Sequence, residues 1–305
     1  MMVQNGIFGV GNGLWIIIAI VVSVIIMAMG VAGGIEKACK VMIPLLFALF
    51  LVMAVYIATL PGASDGYKFI FSLDPAGLAD WKLWVYAFGQ AFFSLSVAGN
   101  GSVIYGSYLG KDVEISSSAR NVAVFDTLAA LVAMFVIIPA MATSGGELST
   151  AGPGLMFVAL PGVFNGMGGF GRFVGIFFFV AVLFAGTTSI INLYETPVAF
   201  LQEQFKLKRL PSVIIIHAIG LIVALLIQPW TSQWMDMVSI YICPFGALLA
   251  GVMFFWVLKK QTALDAVNLG ARKPIGGWFH PFGKWVYVPL CALALIFGAA
   301  LGGIG

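Results

Sequence analysis

Eight apolar runs, each about long enough to cross a bilayer, constrain this chain more than any other feature. They cover residues 13–30, 38–60, 83–109, 117–142, 171–204, 211–229, 237–258 and 285–303. A helix needs about 20 apolar residues to span a hydrocarbon core. The chain is 61% hydrophobic and only 9% charged, whereas soluble domains carry about 25% charge. The expectation is an all-α polytopic membrane protein of about eight transmembrane helices. The fifth run is long enough to tilt or to project beyond the hydrocarbon.

The third run, Trp84–Leu109, is the one on which function is expected to turn. Two apolar halves flank Ser94-Leu95-Ser96-Val97-Ala98-Gly99-Asn100-Gly101-Ser102. Helix propensity is poor through Gly99, Asn100 and Gly101. Backbone that leaves the helix inside a bilayer must face protein or a wet cavity, because lipid offers no hydrogen bonds. A span interrupted near its middle is therefore a candidate ion or solute site. A close helix–helix contact made by small residues is the other reading of the same stretch.

The loops set an orientation. With the loop after the first run on the cytoplasmic side, Lys37, Lys40, Lys111, Arg120, Lys206, Lys208, Arg209, Lys259, Lys260, Arg272, Lys273 and Lys284 are cytoplasmic or at that boundary. Lys68, Lys82 and Arg172 lie outside. That asymmetry is a positive-inside bias, and it places both termini outside. The start, Met1–Gly6, lacks the basic region of a signal peptide, so a segment upstream is expected. Two external loops are long, Pro61–Lys82 and Ser144–Phe170, and the second carries Gly- and Pro-marked turns with amphipathic pieces between them.

Charges inside spans are rare and usually functional. Asp126 lies six residues inward from Arg120, about 9 Å deeper at 1.5 Å per residue. It is read as ion-related, against snorkelling or pairing with Arg120. In the fifth run, Ala185, Thr188 and Ser189 share one helix face. Their oxygens suit a hard monovalent cation, by extension from calcium and magnesium. The alternative is that the hydroxyls bond only their own helix carbonyls. Glu195 faces the bundle interior with no partner identified. His217 reads as a hydrogen-bonded packing histidine rather than a proton relay. Cys39, Cys243 and Cys291 show neither metal nor disulfide spacing. Trp15, Trp230, Trp234, Trp256 and Trp285 read as interface anchors. No nucleophile elbow, P-loop or metal-binding His pair occurs, so no enzyme is expected, and no basic cluster points to nucleic acid.

Several segments together resemble the neurotransmitter:sodium symporter family. Gly89-Gln90-Ala91-Phe92-Phe93-Ser94-Leu95-Ser96 with Tyr105-Gly106-Ser107-Tyr108 resembles its broken sixth helix. Asp126-Thr127, Gly152-Pro153-Gly154-Leu155, Phe184-Ala185-Gly186-Thr187-Thr188-Ser189 and Gly34-Ile35-Glu36-Lys37 through Pro44 follow in the family's order and spacing. The resemblance implies a leucine-transporter-like inverted-repeat fold, truncated at the N-terminus, whose eight spans correspond to helices four to eleven. It implies a single transmembrane domain over 1–305: residues 1–60 end the first repeat, 83–258 form the second, and 285–303 add a C-terminal helix. It implies multi-pass residence in the cell membrane, contact with membrane lipid and, as one option, a partner chain that supplies the missing N-terminal helices.

Residue by residue, the resemblance implies that Ser94 and Asp126 bind a first sodium ion. Ala185 (through its carbonyl), Thr188 and Ser189 bind a second. Phe93, Ser96, Gly99, Ser189 and Leu193 line the substrate pocket. Gly99 stands where the leucine transporter has a bulky aromatic, which enlarges the pocket, and Asn100 replaces a family glycine. Gln90 and Ser94 match part of the chloride site of animal relatives, and an acid at position 126 matches chloride-independent bacterial members. Asp236 matches the outer-gate acid, and Glu203 the inner-gate acid near Tyr108. The expected function is sodium-coupled symport of an amino acid or related small amine by alternating access. The alternatives are a non-transporting remnant, a subunit that needs a partner, and, on the broken helix alone, an ion channel.

Overall fold

The computed structural model describes residues 10–72, 75–97, 101–143 and 160–301. Among these, all regular structure is helical. The helices are α1 (Val10–Ala28), α2 (Glu36–Ala58, entered through a π-turn at Val31–Ile35), α3 (Ala63–Phe71), α4 (Trp81–Ser94), α5 (Gly101–Ser107), α6 (Ile115–Thr143) and α7 (Leu160–Gly166). There follow α8 (Gly171–Gln204), α9 (Arg209–Ile227), α10 (Thr231–Met237), α11 (Cys243–Val252), α12 (Lys260–Asn268), α13 (Phe279–Phe282) and α14 (Val288–Leu301).

Among the described residues, six helical stretches are long and apolar enough to cross a membrane: Val31–Ala58, Ile115–Thr143, Gly168–Gln204, Arg209–Trp230, Gln233–Val257 and Phe279–Leu301. They match six of the eight expected runs. The run at 13–30 is α1, and the run at 83–109 is divided between α4 and α5. Both long external loops hold helix: α3 lies in the first and α7 in the second. The expected Gly152-Pro153-Gly154-Leu155 turn lies outside the described residues, as do Met1–Gly6 and the Trp15 side chain.

The chain divides into two compact units that do not follow chain order. The first comprises Met1–Ala28, Ala76–Val124 and Asn192–Gly305; the second comprises Met29–Pro75 and Phe125–Ile191. The core of the second unit is Met53 and Ile57 of α2, Val136, Ala140 and Met141 of α6, Leu160, Val163 and Phe164 of α7, and Val174 and Phe178 of α8. Phe178 packs its ring 5.9 Å from Phe50 and 5.4 Å from Phe164. Gly66 lets α3 sit on α6, since a Cβ there would fall 2.5 Å from the Pro139 Cα. Pro139 lies within α6 without ending it. In lipid, where apolar burial drives little association between helices, such close packing is what holds them.

In the first unit α1 packs on α9, and α14 packs on α11 and α4. Small residues make the second contact close: Ala247, Cys291 and Ala294 are buried around Phe92, whose ring meets Tyr287 edge-on at 5.9 Å. The α1–α9 contact holds a buried polar pair. Ser23 Oγ is 2.9 Å from His217 Nε2, and His217 Nδ1 is 2.8 Å from the Val213 carbonyl. That carbonyl can only accept, so Nδ1 carries a proton, and the Ser23 hydroxyl also lies 3.8 Å from the Met27 Sδ. The Tyr194 ring stands edge-on to the imidazole at 4.8 Å. His217 is thus a hydrogen-bonded packing residue.

Candidate functional site

The third run breaks where its small residues predict. α4 ends at Ser94, and Ser96 takes a left-handed φ of 53°. A non-glycine residue there costs about 1–2 kcal/mol and stops a right-handed helix. The end of α4 is secured by Leu95 N–H to the Ala91 carbonyl (3.1 Å) and Ser96 N–H to the Phe93 carbonyl (3.0 Å). Gly99 and Asn100 lie outside the described residues. Helix resumes at Gly101, buried and close to Ser96: a Cβ on Gly101 would stand 3.3 Å from the Ser96 Cβ. Ser102 then reaches back across the break. Its hydroxyl donates to the Leu95 carbonyl (2.7 Å) and its N–H to the Ser96 carbonyl (3.4 Å). Carbonyls that the interruption leaves without helix partners are thereby partly satisfied. Beside the break, Phe93 is exposed and Ser96 half-buried.

The oxygen-bearing face on α8 is built differently. Thr188 Oγ1 lies 2.9 Å from the Ala185 carbonyl oxygen and 3.0 Å from that of Phe184. Thr187, which is buried, bonds the Leu183 carbonyl at 2.8 Å. These are bonds a hydroxyl makes to the preceding turn of its own helix; both atoms are hard oxygens, the donor type that suits a monovalent cation by extension from calcium and magnesium. Ser189 is exposed on the same helix. These three residues and the half-buried Asp126 of α6 belong to the second unit, whereas Phe93, Ser94, Ser96 and the exposed Leu193 belong to the first.

Among the described residues, a tightly built polar cluster surrounds Glu195. Glu195 of α8 is fully buried. Arg209, the first residue of α9, grips it with two parallel bonds of 2.9 Å. The Tyr108 hydroxyl, just past α5, donates to the same carboxylate at 2.8 Å. The remaining guanidinium nitrogen, Nε, donates to the Met27 carbonyl at 2.8 Å. Met27 is in the last turn of α1, so this bond satisfies a helix-end carbonyl and sets a cation at the negative pole of that helix. One arginine therefore ties together α1, α8, α9 and the half-helix after the break. In the sequence, Arg209 is one more basic residue in a basic loop, and nothing marks it as Glu195's partner. Of the expected gate residues, Tyr108 spends its hydroxyl on Glu195. Glu203 is exposed near the end of α8, and Asp236 is exposed on α10.

A family model described as the sodium:neurotransmitter symporter family matches residues 1–297. This chain belongs to that family. It is similar to a sodium-dependent transporter of Methanocaldococcus jannaschii, with 28% identity across 97% of this chain and 61% of the relative. It is similar to the sodium-dependent transporter YhdH of Bacillus subtilis, with 32% identity across 92% of this chain and 64% of the relative. The chain thus spans less than two thirds of the length of these curated relatives. Among solved structures it resembles MhsT in complex with L-phenylalanine, with TM-score 0.79 and 29% identity over 98% of this chain and 72% of that one. The chain is accordingly an all-α, multi-pass membrane protein with the leucine-transporter fold, and its relatives are transporters rather than enzymes.

The helix break and the Glu195 cluster both involve α5, whose first residue lies close to Ser96 and whose last precedes Tyr108.

Proposed function

We propose that this chain carries the substrate-binding and gating core of a sodium-coupled symporter for an amino acid or related small amine. The observation that supports it best is the interruption at Ser94–Gly101, which presents bent backbone and hydroxyls inside an apolar span. Sodium, when bound, supplies the positive charge around which oxygen groups converge. We assign Ser94 and Asp126 to a first ion, and the Ala185 carbonyl, Thr188 and Ser189 to a second. Phe93, Ser96, Gly99, Ser189 and Leu193 are assigned to the substrate. Tyr108, Glu203 and Asp236 are assigned to the gates. The Tyr108–Glu195 bond holds the end of α5, and its release accompanies opening on that side by alternating access. The chain is read as one transmembrane domain with repeat boundaries near residues 60, 83 and 258.

The test is uptake of L-phenylalanine, the ligand of MhsT, into proteoliposomes under an inward sodium gradient. Sodium-dependent uptake without chloride is expected. Asp126→Asn is expected to abolish uptake or make it depend on chloride, because the carboxylate then no longer supplies the negative charge. Unchanged chloride-free uptake by Asp126→Asn would remove Asp126 from the ion site. Uptake indifferent to sodium across a panel of amino acids would end the symport reading.

A further inference from the structure

The segment that leaves α11 and enters α14 gathers cations and indole rings. From Phe254 to Val288 the sequence holds five cationic side chains, Lys259, Lys260, Arg272, Lys273 and Lys284, against one acid, Asp265. Among the described residues none of the five cations forms an ion pair. Asp265 instead takes a hydrogen bond from Gln261 at 2.7 Å.

The structure draws part of this charge onto aromatic rings. Gly283 permits the approach, since a Cβ there would fall 2.1 Å from the Phe255 ring. The turns at Met253–Val257 and Gly283–Tyr287 therefore lie against each other, with the Trp256 and Trp285 rings 5.2 Å apart. Lys284 Nζ sits 4.3 Å from the centre of Trp256 and 5.7 Å from that of Trp285. Lys260 Nζ lies 3.7 Å from where a Cβ of Gly277 would stand, beside Trp278 in sequence. A ring contact from Phe255 to Phe279 (5.5 Å) and one from Phe279 to Trp278 (6.3 Å) join the two groups. The three indoles are 47%, 63% and 63% exposed at Trp256, Trp278 and Trp285. Indoles favour the depth of lipid headgroups. Ammonium groups without acids at that depth attract phosphate.

We propose that this cluster binds the headgroup of an anionic phospholipid, with Lys259, Lys260 and Lys284 on the phosphate and the indoles flanking the glycerol region. A lipid fits better than a soluble anion because the same elements continue into apolar spans. Met253, Val286 and Leu293 stay exposed along them to receive acyl chains.

The test is native mass spectrometry of the purified full chain in detergent, titrated with dioleoyl phosphatidylglycerol or with dioleoyl phosphatidylcholine. The wild type is expected to retain phosphatidylglycerol preferentially. Lys259→Gln/Lys260→Gln/Lys284→Gln is expected to weaken that binding on the order of a hundredfold, from about one charge interaction per cation. A control triple, Lys37→Gln/Lys111→Gln/Lys206→Gln, removes equal charge and is expected to change it by about threefold at most, as diffuse attraction alone would. If the first triple misfolds, single variants decide: Lys284→Gln should lose about fivefold and Lys284→Arg about nothing. Equal loss in both triples, equal retention of the two lipids, or displacement of phosphatidylglycerol by inorganic phosphate would each overturn the proposal.

Discussion

The two halves of α8 treat their polar residues in opposite ways. In residues 192–204 the carboxylate of Glu195 has no exposed surface, and it accepts bonds from Arg209 twice and from Tyr108 once. In residues 171–191 the Thr188 hydroxyl is half-buried and turns to carbonyls of its own helix. A buried charge must be paired, because leaving it unpaired costs several kcal/mol. A hydroxyl satisfies itself on the preceding turn at almost no cost. The first kind of residue is therefore committed to holding helices together. The second kind can lend its oxygen to an ion without weakening the fold.

The largest break in that comparison comes from Glu195→Ala. It strands the Arg209 guanidinium, whose side chain is only 21% exposed, and is expected to destabilise the protein by about 3–5 kcal/mol. The measure is the thermal unfolding midpoint in detergent. Replacing both partners, Glu195→Met with Arg209→Leu, should recover much of the loss, since no charge then remains unpaired. If the double variant is no better than Glu195→Ala, the cluster acts through something other than charge pairing, such as the Arg209 bond to the end of α1.

Tyr108→Phe sharpens the same point at smaller scale. It removes one hydrogen bond to a charged group, worth about 1.5–3 kcal/mol, and leaves the bidentate pair in place. Denaturation should show a drop clearly less than that of Glu195→Ala. In the symport reading it should also favour the state in which α5 is released, seen as faster hydrogen exchange in Gly101–Leu109. Equal exchange with lower stability would make Tyr108 a structural residue only.

These contrasts explain what was legible in the sequence. The break at Ser94–Gly101 was readable because poor helix formers cluster there within an apolar run, a local property. Ala185, Thr188 and Ser189 were readable as one face because helical spacing is local too. The partner of Glu195 was not readable. It is fourteen residues away across a turn, and the basic loop offers Lys206, Lys208 and Arg209 alike. Only the fold selects Arg209, whose planar fork fits a carboxylate with two bonds and leaves Nε for the end of α1. Pro44, Pro139 and Pro197 teach the converse. Each is a strong local breaker, yet each lies within a helix that continues through it. Neighbouring helices and local adjustment re-satisfy the freed groups in a bundle, which no local pattern announces.

The smallest expected effect is also the most discriminating. Thr188→Val keeps the β-branched shape and the χ1 restriction and deletes only the hydroxyl. The Ala185 and Phe184 carbonyls lose a second donor while their helix remains. Stability without sodium should therefore stay within about 0.5 kcal/mol of wild type. Sodium should separate the two proteins. A bound ion raises stability by RT ln(1 + [L]/Kd), so sodium in place of potassium, at equal ionic strength, should raise the wild-type midpoint. The variant's midpoint should move far less. A large loss of stability without sodium would mean that Thr188 holds the fold as Glu195 does, and the contrast between the halves of α8 would disappear. An unchanged fold with an undiminished sodium shift would keep the contrast and place the ion on other oxygens.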